Sequence, residues 1–383
     1  MTDRLGRPAI GVLGSYGGLN QGDEAILTCV LDSLRVQCPA ARVVVFSRDA
    51  EHTRAHHDVA EVVGWEGMSQ RQSLEVLSRL DVLVLGGGGV LYDSEARRYL
   101  RLVRIARECG VPSFAYAVGV GPLTDADDRQ IVRETLADML AVIVRDEESR
   151  LILEEVGVTR DIVVTADPAL LLTPEEFSED MLRCEGIPQG VRLVGMSVRE
   201  PGRAAEKLDE SGYHALLGDV ADFLVSRMDA HVVFMPMERQ DVGHAHAVLS
   251  QMTAPEKGRV LNGSYRPRQL LGLMRHLDLA VGMRLHFLIF AAVSGVPFLP
   301  LPYAGKVFDF ARAAGAPALT RVAREQCGLL MAEIDRLWDE RDGRRDELAR
   351  RVRVLRERAL TNHTWCAKLL DQVRAPAPAT TEV

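Results

Sequence analysis

Short apolar runs, each followed by a glycine or polar loop and then by a helical pattern, recur along this chain and restrict what it can fold into. Ala9 to Leu13 is such a run, followed by Gly14, Gly17, Gly18 and Gly22 and then by Glu24 to Val36, whose apolar spacing predicts a helix. The theme continues at Arg42 to Phe46, Val82 to Leu85, Ser113 to Ala117, Val142 to Val144 and Ile162 to Thr165, separated by helical patterns such as Ser69 to Arg79 and Ser94 to Cys109. A second series runs through Arg192 to Ser197, His231 to Met235, Arg259 to Leu261, Leu277 to Val281 and Pro297 to Leu301. Tyr213 to Asp229, Arg239 to Gln251, Arg268 to Met274 and Leu285 to Ser294 supply the helices between them. Alternation of this kind predicts an α/β fold with parallel, doubly wound sheets.

The length, 383 residues, exceeds what one ordinary core serves and suits two domains of about 150 to 200 residues. The expected division is an N-terminal Rossmann-like domain over 1–172, a C-terminal one over 190–340, a charged helix over 341–374 and a disordered tail over 375–383. Leu172 to Gln189, with Pro174, Pro188 and several acids, is the linker candidate, and the two domains are expected to face one another across a cleft.

Composition excludes several function classes. A hydrophobic share of 47% with 26% charged residues is that of a globular protein, and the net charge of -8 argues against nucleic-acid binding. An anionic ligand therefore needs a local basic pocket. Cys29, Cys38, Cys109, Cys184, Cys327 and Cys366 include no CxxC pair, which predicts free thiols in a reducing compartment rather than zinc ligands. Met1 to Pro8 lacks the apolar core of a signal peptide. The longest apolar run, Phe287 to Leu301, is broken by Ser294, Gly295 and Pro297 and falls short of the roughly 18 residues that span a bilayer. A cytoplasmic protein is expected.

The candidate chemistry clusters at strand ends. Gly282 to His286 puts Arg284 and His286 after an apolar strand, and Lys306 follows Pro302 to Gly305 after the next. An arginine, a histidine and a lysine so placed predict a grip on a phosphate and a carboxylate, with His286 at a helix start as a titratable acid. The plain alternative for His286 is capping or packing. Arg145 ends another strand, where its planar fork either clamps an anion or pairs with Asp146, Glu147 or Asp167. Arg199 is a weaker candidate of the same type.

Two glycine loops remain. Gly14 to Asp23 contains neither GxGxxG nor a following Lys-Ser/Thr, so a dinucleotide or Walker site is not predicted, although Asp49 occupies a place a ribose-binding acid could take. Asn20 and Asp23 fit helix N-capping and acceptor binding equally. Four consecutive glycines, Gly86 to Gly89, are costly in backbone entropy, and read either as a tight strand-to-helix turn or as a close approach to ligand by Gly87 and Gly88. His244 and His246, two apart on a helix, point to different faces and make a poor metal pair; His56 and His57 read as solvated. Neither pair is assigned a function.

Taken together, the set resembles the polysaccharide pyruvyltransferases, the bacterial CsaB type in particular. The resemblance lies in Asn20, Gly22, Asp23 and Glu24; Gly86 to Leu91 with Asp93; Ala115 to Pro122; Val144 to Ser149; Thr165 to Pro168; and Gly282 to His286 with Lys306, in order over residues 9 to 315. It implies a GT-B-like fold of two Rossmann-like domains with a C-terminal helix packing back. It also implies transfer of a carboxyethylidene (pyruvate ketal) group from phosphoenolpyruvate to two hydroxyls of a sugar, releasing phosphate, with no metal or other cofactor. Arg145, Arg284 and Lys306 would bind the donor, His286 would act as acid, and Asp23 as a base near the acceptor, with Asn20, Gly87 and Gly88 lining the site. The family usually has Asp-Pro before that lysine, where this chain has Ala304 and Gly305. A lipid-linked cell-wall precursor or an exopolysaccharide unit is the implied acceptor, with contact at the inner face of the cell membrane. A nucleotide-sugar GT-B glycosyltransferase and a non-catalytic sugar-binding homologue are the alternatives. Against the former, no acid in the second domain is evidently placed for a ribose, and cations are expected in surplus there.

Overall fold

The computed structural model describes residues 7–18, 20–202, 208–301, 304–317 and 322–374. Pro302, Tyr303 and the expected tail 375–383 lie outside them. The chain forms two compact units, the first from Met1–Gly18, Ile26–Leu171 and Glu357–Val383, the second from Leu19–Ala25 and Leu172–Arg356.

In the first unit the strands are β1 (Ala9–Leu13), β2 (Arg42–Ser47), β3 (Glu61–Gly64), β4 (Val82–Leu85), β5 (Gly88–Leu91), β6 (Ser113–Val120), β7 (Val142–Val144) and β8 (Ile162–Val164). They pair in parallel in the order β3-β2-β1-β4-β6-β7-β8, with β5 also on β6. Central β1, β4 and β6 are buried along their whole length, as strands covered on both faces must be. The helices are α1 (Gln21–Gln37), whose first residues through Ala25 belong to the second unit, α2 (Ala50–His56), α3 (Gln70–Leu77), α4 (Ala96–Glu108), α5 (Ala126–Ala137) and α6 (Glu147–Val156). In α4 the residues Tyr99, Val103 and Ala106 are buried while Arg97, Arg104 and Arg107 are exposed, the one-sided pattern that seats a helix on a sheet. Ser69 forms a capping box with Gln72 at the start of α3, and Asp125 caps α5.

The second unit carries β9 (Arg192–Ser197), β10 (Ala230–Phe234), β11 (Gly258–Val260), β12 (Leu279–Gly282) and β13 (Phe298–Pro300) in the parallel order β11-β10-β9-β12-β13. Its helices are α7 (Glu179–Cys184), α8 (Glu210–Met228), α9 (Asp241–Gln251), α10 (Pro267–Met274), α11 (Leu285–Val293), α12 (Gly305–Ala314) and α13 (Cys327–Asp339). The core joins Val194, Met196, Leu217, Leu224, Val281 and Ile334. The final helix, α14 (Arg341–Arg374), begins in the second unit and ends in the first, as the charged pattern over 341–374 predicts.

Two expectations need correction. The glycine run does not lead straight into a helix: Gly88 adopts φ of 101° and begins the short strand β5. β3 was not expected, because an edge strand with one buried residue carries little apolar signal. The linker candidate begins at Leu172, where the second unit resumes after the first ends at Leu171, and it includes α7. Glu175 donates its N–H to the Arg268 carbonyl at 2.9 Å, and its own carbonyl would lie 1.9 Å from a Cβ on Gly272, so the segment packs directly on α10.

Candidate functional site

Strand order decides where the second unit can bind. From β9 the chain turns to β10 and β11 on one side and later to β12 and β13 on the other, so the carboxyl ends of β9 and β12 flank a topological switch point. Arg284 stands there, two residues past β12, at the N-cap of α11. Gly282 at the strand end allows the turn, since a Cβ would fall 2.5 Å from the Phe287 ring.

Arg284 is 8% exposed and fully engaged with acids. Its Nε lies 3.0 Å from Asp241 Oδ2 and its Nη2 2.5 Å from Asp241 Oδ1. Nη1 and Nη2 form a fork on Glu238 at 2.9 and 3.0 Å, and Nη2 approaches Glu200 Oε2 at 3.7 Å. Asp241 is completely buried and also accepts the backbone N–H groups of Met237 and Glu238, both at 3.1 Å. Among the described residues, three carboxylates thus surround this one guanidinium, where a surplus of cations was expected. Arg199, the weaker candidate, pairs with Glu200.

The start of α1 joins the same network. Asn20 caps the helix by accepting the N–H groups of Gly22 at 2.9 Å and Asp23 at 3.2 Å, and its Nδ2 donates to Glu238 Oε1. Gln21 donates its N–H to the Met237 carbonyl at 2.9 Å. A Cβ on Gly22 would lie 1.8 Å from His286 Nδ1, so this glycine is what lets the imidazole rest against the helix start. Asp23 is buried in the first turn, and His286 is half-buried in the first turn of α11. Asn20, Asp23, Arg284 and His286 are therefore brought together. Lys306 is half-buried in the first turn of α12, and Leu301, five residues before it, donates its N–H to the Gly282 carbonyl at 2.7 Å.

The remaining candidates belong to the first unit. Arg145, 6% exposed, pairs with Asp146 at 3.2 Å and Asp167 at 3.1 Å, so the ion-pair reading of this residue holds in the structure. Its guanidinium lies over Gly119, where a Cβ would be 2.6 Å from Nη2. Gly87 and Gly88 are buried. What approaches Gly87 is the Ile26 side chain and the Ala117 carbonyl, at 2.9 and 3.1 Å from a Cβ position, while Gly86 and Gly14 make room for the Tyr16 ring. Asp49 caps α2 by accepting the N–H groups of Glu51 and His52 at 3.0 Å.

A family model described as polysaccharide pyruvyl transferase matches residues 20–305, from the Asn20 cap to the residue before Lys306. The chain belongs to that family. As a polysaccharide pyruvyl transferase it is a transferase of polysaccharide biosynthesis, and the family implies a saccharide acceptor. It is 21% identical over 305 residues to the amylovoran biosynthesis protein AmsJ of Erwinia amylovora, covering 76% of this chain and 73% of that protein. Solved structures share the fold. A glycosyltransferase from Rickettsia africae matches at 12% identity and a TM-score of 0.62, covering 97% of this chain and all of that one. A putative UDP-N-acetylglucosamine 2-epimerase from Listeria monocytogenes matches at 14% and 0.61, with 90% and 91% covered. The fold of this pyruvyl transferase is thus GT-B-like. Among the described residues no helix is long and apolar enough to cross a membrane.

Glu200, Glu238 and Asp241 are the site residues that sequence reasoning missed. Their signal was faint but present: Glu200 follows β9 as Arg284 follows β12, Glu238 sits in the turn after β10, and Asp241 opens α9.

Proposed function

We propose that this transferase moves the carboxyethylidene group of phosphoenolpyruvate onto two hydroxyls of one sugar in a cell-wall or exopolysaccharide precursor. The observation that carries the reading is the meeting of His286 with the Asn20-Gly22-Asp23 turn beside Arg284, within a chain whose family transfers pyruvyl groups. His286 protonates the methylene carbon of phosphoenolpyruvate, and cationic character develops at C2. One sugar hydroxyl adds at C2, phosphate leaves, and the second hydroxyl adds to the resulting oxocarbenium ion. The two hydroxyl protons are lost, one restoring the acid and one passing through Asp23 to the departing phosphate, so phosphoenolpyruvate and two alcohols give one ketal and inorganic phosphate.

Asp23 accepts a proton on the acceptor side. Lys306 takes an anionic group of the donor. Arg284 joins it only by exchanging part of its hold on Glu238 for the substrate, which makes Glu238 a competitor for the anion and a group freed when the donor binds. Asn20, bonded to the same carboxylate, would register that exchange at the helix start. No metal or cofactor takes part in these steps.

A second reading rests on those acids. Glu200 and Glu238, at the carboxyl ends of β9 and β10, offer carboxylates to the hydroxyls of a nucleotide sugar, which a GT-B-like fold also suits. One assay separates the two. Phosphate release from phosphoenolpyruvate, measured with a panel of disaccharide acceptors, is expected to depend on acceptor and to fall at least about a hundredfold in His286→Ala, the usual loss for a general acid. Nucleotide release from a UDP-sugar, without phosphate release, would transfer the protein to the second reading.

A further inference from the structure

Away from the Arg284 network, the second unit brings three metal-binding side chains to one point. Glu210 and His214 stand four residues apart on α8 and share a face. α9 packs beside that helix and supplies His244. His214 Nε2 lies 3.0 Å from His244 Nδ1, and Glu210 Oε1 is 3.7 Å from the same nitrogen. The two rings are tilted at 47° with centroids 5.3 Å apart, so they meet through their nitrogens rather than by stacking.

Two facing imidazole nitrogens have one good arrangement without a cation, in which one ring donates its N–H and the other accepts. A cation in place of that proton uses both lone pairs. Ligand atoms bound at ~2.0–2.1 Å around a tetrahedral ion sit about 3.3 Å from one another, and the measured 3.0 and 3.7 Å separations bracket that spacing. Burial, and next the neighbouring His244, hold the His214 pKa below its usual value against the opposing pull of Glu210. His214 is 7% exposed, whereas the Glu210 side chain is 65% exposed, which leaves an entry path from solvent.

We infer that Glu210, His214 and His244 form a binding site for a divalent cation of the Zn²⁺ class, with two imidazoles, one carboxylate and a position for water. A nitrogen-rich set of this kind favours zinc, cobalt or nickel over magnesium or calcium. The ion ties α8 to the first turns of α9. His244 lies one turn beyond Asp241, the residue that anchors Arg284, so the ion also stiffens the helix start on which that network depends. Nothing in this assignment requires pyruvyl transfer.

The test titrates Co²⁺ into the full-length protein after chelator treatment. Wild type is expected to bind one equivalent with the visible absorption of a tetrahedral site, and Zn²⁺ is expected to displace it. His244→Ala should weaken Co²⁺ binding more than about a hundredfold, since even partners outside the ligand shell contribute 10- to 100-fold. His52 and His56 stack with ring centroids 4.0 Å apart and form the competing histidine pair; His52→Ala should leave binding unchanged. Zn²⁺ should raise the thermal midpoint of wild type and not that of His244→Ala. Should buried His214→Ala misfold, the more exposed Glu210→Gln and His244→Gln carry the test. The absence of saturable binding by wild type, equal Co²⁺ affinity in His244→Ala, or loss of binding in His52→Ala would each overturn the assignment.

Discussion

Gly22 shows how one missing methyl group shapes the site. A Cβ there would meet His286 Nδ1 at 1.8 Å and Cγ at 2.3 Å, so Gly22→Ala must push the imidazole away. The ring is half-buried rather than part of the core, hence the fold should survive with a thermal midpoint close to wild type. Turnover should fall about a hundredfold, the effect of a displacement near 1 Å at a reacting group. A variant with wild-type turnover would remove His286 from the chemistry. Arg284 carries the opposite lesson. Its place at a strand end was legible because an arginine after an apolar run stands out. Its partners were not, since Asp241 and Glu238 lie 43 and 46 residues away along the chain. Asp241, fully buried, neutralises Arg284 and holds the turn at Met237 and Glu238, so removal of Arg284 strands a buried carboxylate, which typically costs about 3–5 kcal/mol.

Among elements, the long buried strands and one-sided helices were the legible ones. β1, β4, β7 and β9 fall where the apolar runs predict them, because strands covered on both faces must be apolar throughout. β5 escaped because Gly88 and Gly89 speak against a strand, and only pairing with β6 makes one. The end of α14 depends on contacts no periodicity announces. Asn362 is completely buried, donates to the Ala166 carbonyl at 2.9 Å and accepts from the Thr165 hydroxyl at 2.7 Å. Arg358 donates to the Thr165 carbonyl at 2.8 Å. These bonds fix the loop that ends in Asp167, the partner of Arg145. Asn362→Ala should therefore lower unfolding free energy by about 1–3 kcal/mol in denaturant titration, the usual result of stranding a buried polar partner. A change within error would show that this loop holds itself.

At the scale of the whole molecule, pH reports on burial. Burial lowers the pKa of His214 and of His363 below 6.5. The unfolded chain therefore takes up protons below 6.5 that the folded chain resists, and stability rises with pH across that range. The contribution is complete above about pH 7 and declines as pH falls through 6.5. The thermal midpoint, measured in chelator to keep ions out of the comparison, should be lower at pH 5.5 than at 7.5. An equal or higher midpoint at pH 5.5 would contradict the assigned burial of these rings.

By itself the sequence determined the α/β class and the strand and helix alternation, since these follow from side-chain periodicity within each segment. Only the tertiary structure decided that Arg284 is held by Asp241 and Glu238, that Gly22 accommodates His286, and that His244 meets His214 rather than its neighbour His246. Electrostatic and steric contacts depend on separation in space, and the parallel connections of these sheets bring side chains together that are tens to hundreds of residues apart in the chain.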